Sequence, residues 1–169
     1  DVPPIGPPNG HAVVLLHGFL DTCETFQFLV DEFSDDWCFI APDWRGFGGS
    51  AGNGGPYWFP DYLGDLEALL DSLALRRPPR IVGHSMGGNV AALYAGVRPS
   101  RVRAVVALEG FGLPRAQLTS APERYARWLD QLRAGSPRKI SESTAQFARV
   151  LRRRNPRLTV SRAMFIAAA

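Results

Sequence analysis

"RIVGHSMGGNV", Arg80–Val90, decides how this chain folds. An apolar segment runs into Gly83-His84-Ser85-Met86-Gly87 and out into "NVAALYAGV", which predicts a strand, a sharp turn and a helix. Glycines two residues either side of Ser85 suit a turn so tight that larger side chains would clash across it. Such a turn exposes the serine oxygen at a helix N-terminus and aims the next amide, that of Met86, at a developing oxyanion. The competing reading is a glycine-rich turn with an incidental serine. The strand before and the helix after favour a nucleophile elbow.

Working outward, "HAVVLLHGF" (11–19) is a continuous apolar run, as expected of a strand buried on both faces. "ETFQFLVDEF" places Phe26, Leu29, Val30 and Phe33 at helical spacing, and "WCFIAPD" is a second short strand. "DYLGDLEALLDSL" repeats leucine at 63, 66, 69, 70 and 73, one stripe of an amphipathic helix. "VRAVVALEG" is a fourth strand. This alternation predicts an α/β fold, a mostly parallel sheet with helices on both faces. Right-handed crossovers then gather the strand C-terminal ends, with His17, Asp43, Ser85 and Glu109, along one edge.

From Leu113 the texture changes. "TSAPERYARWLDQLRAG" opens with Ser120 and Glu123 in capping-box register and Pro122 in the first turn, and ends at Gly135. "SESTAQFARVLRRRNP" predicts a second helix stopped by Asn155-Pro156, and "TVSRAMFIAAA" begins a third. Three helices with no strand between them predict a helical cap over 113–169, set on a sheet-forming region over 1–112. Trp128, Leu132, Phe147 and Leu151 are its candidate inward-facing residues. Phe19, Trp44 and Trp58 are candidates to line a pocket below, with core packing the commoner role for such aromatics.

Two more signals flank the elbow. His17-Gly18-Phe19 ends the first strand, and a tight turn there lets the Phe19 N–H join that of Met86 as an oxyanion hole. "DWRGFGGS", Asp43–Ser50, permits close turns, with Arg45 placed to brace neighbouring loops. In order, H-G-x-x, D-x-R-G-x-G-x-S and G-H-S-M-G-G closely resemble the α/β-hydrolase superfamily over about residues 11–112, and more loosely over the cap. "LLHGFLDTCETF", "LEGFGLP" and "RRNPRL" are similar to its serine-hydrolase-like branch. The resemblance implies Ser85 as nucleophile, Phe19 and Met86 as oxyanion donors, no cofactor, and a small-molecule substrate with an ester, thioester or related acyl bond. A serine here argues against haloalkane dehalogenases and epoxide hydrolases, which place an aspartate at this position.

The superfamily's order is nucleophile, acid, then histidine, yet His11, His17 and His84 all precede Ser85. The His84 side chain is expected to leave the elbow in another direction, His17 to be packed and hydrogen-bonded, and His11 to sit at the wrong end of its strand. Glu109 has two readings: a triad acid that orients an imidazole, or a loop glutamate capping a backbone amide. The expectation is an N-terminal part of a longer serine hydrolase, with the triad histidine in the remainder and a sheet edge left open. The alternative is a non-catalytic ligand- or partner-binding protein on the same fold.

Composition narrows the classes further. The net charge of +3 hides an asymmetry. Residues 1–75 hold twelve acids against one base, Arg45, and residues 76–169 hold eighteen bases against four acids. The arginines scatter through helices, which predicts solvated faces, in part paired with the acidic half, and no nucleic-acid partner. No apolar run approaches the ~18 residues of a membrane span, and no basic-then-apolar segment opens these residues. Cys23 and Cys38 form neither a metal spacing nor a disulfide framework, so reduced thiols in a cytoplasmic protein are expected. The glycines at 46–55 lack the lysine of a phosphate loop, and no ligand cluster predicts a metal site.

Overall fold

The apolar runs of the first half become the strands of one parallel sheet. The computed structural model describes residues 11–52, 57–110, 112, 121–134 and 143–168. Its strands are β1 (His11–Leu16), β2 (Trp37–Ile40), β3 (Arg80–His84) and β4 (Ala104–Leu108), in the order β2-β1-β3-β4. Val14 lies opposite Ile40 and Ile81, and Ile81 opposite Val105. Both faces of β1 are buried, which is why its sequence is continuously apolar rather than alternating. Val14, Leu16, Ile40 and Ile81 form one core with Leu66, Leu70, Val90 and Tyr94. Val13, Leu15 and Phe39 form a second, on the other face, with Phe26.

Helix α1 (Gln27–Val30) is shorter than the spacing of Phe26, Leu29, Val30 and Phe33 suggests. A 3₁₀ turn, Cys23–Phe26, leads into a single α turn, Gln27–Val30. Of the four apolar residues only Phe26 is buried, and Phe33 instead sets its ring edge-on to Trp37 and Phe39. Helix α2 (Phe59–Ser72) buries Tyr62, Leu66 and Leu70 along its leucine stripe. Its start is fixed by Pro60 in the first turn and by the Asp61 carboxylate, which accepts the Trp58 N–H at 2.8 Å. Helix α3 (Met86–Val97) follows β3 after one intervening residue, Ser85.

The chain divides into two compact units, Asp1–Gly112 and Leu113–Ala169. The described part of the second is helical: α4 (Ala121–Ala134), α5 (Thr144–Arg154) and α6 (Val160–Ala168). Ser120 and Gly135, the expected ends of α4, lie outside the described residues. Ser143 Oγ accepts the Gln146 N–H at 3.3 Å and caps α5. Asn155 and Pro156 stop it. Helices α5 and α6 pack together with the small side chains of Ala148 and Ala163 buried. Trp128, Phe147 and Leu151 are half-buried, and the Leu132 side chain lies outside the described residues. No helix among the described residues is long and apolar enough to cross a membrane.

Candidate active site

Because all four strands run parallel, the loops after them share one edge of the sheet. Ser85 sits there between β3 and α3 with φ 48° and ψ −111°, a backbone conformation that L-residues rarely hold. Neighbouring glycines make it possible. A Cβ on Gly83 would overlap the backbone of Gly87, and a Cβ on Gly87 would overlap the Leu16 carbonyl. The Ser85 N–H donates to the Leu108 carbonyl at 2.7 Å, which ties the elbow to β4. Met86, first residue of α3, has no intrahelical acceptor for its N–H.

The turn after β1 packs directly against this elbow. A Cβ placed on Gly18 would stand 3.4 Å from the Ser85 Cβ and 3.0 Å from His84 Nδ1. Phe19 follows, its side chain 65% exposed and its ring edge-on to Phe47. Leu20 adopts φ 60°. Trp44, by contrast, is core, with its indole N–H donating to the His17 carbonyl at 3.0 Å, while Trp58 is exposed.

His17 is fully buried and fully engaged. Its Nε2 accepts the Trp44 N–H at 2.9 Å, which places the ring proton on Nδ1, facing the Gly18 carbonyl at 2.8 Å. Burial pushes its pKa below the ordinary imidazole value. A neutral ring with both nitrogens occupied braces the loops and has no free lone pair for proton transfer. Asp43 is likewise structural: its carboxylate accepts the N–H groups of Cys23 at 2.8 Å and Gly49 at 2.9 Å. Burial, with Asp43 and Glu24 nearby, pushes the Cys23 thiol up to about 12. Arg45 reaches helix α2, donating to both Asp65 oxygens at 2.7 and 2.5 Å.

The other two histidines do not serve Ser85 either. His11 begins β1 beside Trp37, about 16 Å of strand from the edge where Ser85 sits. His84 makes no hydrogen bond to Ser85. Its Nδ1 lies 3.9 Å from Asp21 Oδ2 and its Nε2 lies 4.0 Å from Glu109 Oε2. Glu109 is on the shared edge at φ 57°, with its side chain 81% exposed. Asp21 is a charged neighbour to which the sequence assigned no role, although it stands two residues past Phe19 within "LLHGFLDTCETF". Burial raises its carboxyl pKa, opposed by the Thr22 N–H at 3.0 Å. Among the described residues no group of histidine, cysteine or carboxylate side chains is arranged to hold a metal ion.

A family model described as "alpha/beta hydrolase fold" matches residues 11–159. The chain is 39% identical over 116 residues to the serine hydrolase-like protein of Danio rerio, a match that covers 68% of this chain and 35% of that protein. It is 36% identical over 95 residues to Epoxide hydrolase 3 of Xenopus tropicalis, covering 53% of this chain and 25% of that one. The thioesterase domain from the curacin biosynthetic pathway superposes with a TM-score of 0.84 at 26% identity, covering 98% of this chain and 61% of that one. The chain thus spans little more than a third of the zebrafish relative. With a parallel sheet, a serine elbow after β3 and a family match running through both halves, the chain belongs to the α/β-hydrolase fold family.

Proposed function

We propose that this chain is the N-terminal part of a cofactor-free serine hydrolase acting on a small molecule with an ester, thioester or related acyl bond. The observation that carries the reading is the backbone of Ser85, a non-glycine residue held at φ 48° and ψ −111° between a strand and a helix. Strain of this kind costs roughly 1–3 kcal/mol and persists where it serves a site. Ser85 Oγ attacks the substrate carbonyl carbon, and the Phe19 and Met86 N–H groups receive the oxyanion. The serine proton passes to an imidazole supplied from outside these 169 residues and on to the leaving group, and water then releases the acyl group. In this reading Glu109 is the acid that orients that imidazole, and residues 113–169 form the start of a cap. The unpaired Cys23 and Cys38 favour a cytoplasmic setting.

A second reading, a non-catalytic ligand- or partner-binding protein, is favoured by one observation: none of the three histidines is placed as a base for Ser85. Intact-mass spectrometry after incubation with a fluorophosphonate separates the two. The product of the complete gene should gain one adduct, lost in Ser85→Ala, while the 169-residue chain should label at least 100-fold more slowly. An unmodified complete product would refute the hydrolase and favour the binding protein.

A further inference from the structure

His84 is the one imidazole on the functional edge with no assigned work, and its surroundings are built around both of its nitrogens. Asp21, from the turn after β1, faces Nδ1 at 3.9 Å, and Glu109, from the turn after β4, faces Nε2 at 4.0 Å. The ring packs so closely on Gly18 that a Cβ there would meet Nδ1 at 3.0 Å. Two of the four non-glycine residues with positive φ among the described residues border this ring, Ser85 in sequence and Glu109 in space, and a third, Leu20, precedes Asp21 in the turn that faces it. Such conformations persist only where surrounding contacts over-determine them. We propose that His84 is a positioning residue whose imidazolium bridges Asp21 and Glu109, holding the Gly18–Asp21 turn, and with it the Phe19 N–H, in register with Ser85. This rests on the reading of that N–H as an oxyanion donor.

The chemistry requires the protonated ring. Only an imidazolium carries a donor on each nitrogen, so only that form serves both carboxylates at once. The remaining titratable neighbour, His17 just after β1, is held neutral by burial and by its two hydrogen bonds, and leaves Asp21 to His84. The two arms differ in strength. The Asp21 side chain is 20% exposed and that of Glu109 81%, so solvent screens the second arm far more than the first. Asp21 is therefore the anchor and Glu109 the weaker stay.

Solution NMR of the 169-residue chain tests the bridge without any catalysis. The Phe19 amide signal should follow the same titration curve as the His84 ring signals in the wild type. That pH dependence should vanish in His84→Asn, with hydrogen exchange at Leu20–Thr22 rising at least tenfold. Asp21→Asn should weaken the coupling more than Glu109→Gln does. A Phe19 amide that ignores the His84 titration in the wild type overturns the proposal, even if His84→Asn fails to fold. So does exchange within twofold of wild type in a folded His84→Asn. Fluorophosphonate labelling is read separately: a labelled enzyme without this coupling defeats the bridge alone, and coupling without labelling defeats the hydrolase alone.

Discussion

At the scale of single residues, Ser85 and His17 show how much local conformation is set by neighbours. Ser85→Gly should relieve the φ 48° strain and raise stability by about 1 kcal/mol net of the extra unfolded-state entropy, measured by urea unfolding, whereas Ser85→Ala should not. Gly87→Ala should cost about 3 kcal/mol in the same assay, because the new Cβ meets the Leu16 carbonyl, which is strand backbone and cannot step aside. His17 contributes a pH dependence whose sign follows from its lowered pKa. The unfolded chain takes up a proton near the ordinary value of 6.5, while the buried ring resists it. The stabilisation is present above 6.5 and is lost as pH falls through the lower folded value. Melting temperatures from pH 7 to 5 should therefore drop, and His17→Gln should drop less. Asp21 works the other way, its burial penalty setting in as pH rises from 3.8 through its raised folded value, so Asp21→Asn distinguishes the two. The elbow was legible in the sequence because glycine spacing encodes steric limits directly. The Asp21–His84–Glu109 arrangement was not, since it joins the end of β3 to the turns after β1 and β4, which only the sheet brings together.

At the scale of elements, legibility tracked the strength of boundary signals. The bounds of α3 follow from the elbow before it and Pro99 after it, and the α2 stripe from leucine periodicity over nearly three turns. The shortened α1 escaped because its four apolar residues also suit a turn whose side chains reach different partners, and because no side chain caps either its 3₁₀ or its α turn. The tie between α2 and α3 is an instance of the pairing between the basic and acidic halves that the charge distribution suggested, but which residues pair was not legible. Glu67 accepts the Tyr94 hydroxyl and pairs with Arg98 at 3.2 Å and Arg101 at 3.1 Å, while Arg101 also donates to Asp71 at 2.6 Å. Burial, helped by Glu67, pushes the Tyr94 hydroxyl up to about 12. The exposed arginine pairs add little each, so the half-hidden hydroxyl bond should dominate. Tyr94→Phe should cost about 1 kcal/mol in urea unfolding, and Arg98→Ala less than half of that.

For the whole molecule, the informative feature is the β4 side of the sheet. Strand β4 is an edge among the described residues, and four of its five residues are exposed, including Val106 at 52% and Leu108 at 41%. Val106 pairs with Val82, so it lies on the face where Phe26 covers β1 and β2 but no described helix of this unit covers β3 and β4. Parallel strands are stable when both faces are covered, and a bare apolar edge invites pairing with another chain. The open edge was expected from the sequence, because the strand count stopped short of the fold it resembled. Which residues it would expose depended on pleat and register, which periodicity alone does not set. On the reading of this chain as part of a longer hydrolase, Val106→Lys should act in opposite directions in two contexts. In the 169-residue chain, concentration-dependent association, followed by light scattering at hundreds of micromolar, should be suppressed, since an edge lysine blocks strand addition. In the complete gene product the same lysine would be buried under the added structure and should lower stability by about 1–3 kcal/mol. A 169-residue chain that stays monodisperse without the lysine, or a complete product indifferent to it, would mean that β4 is a finished edge and that the sheet ends there.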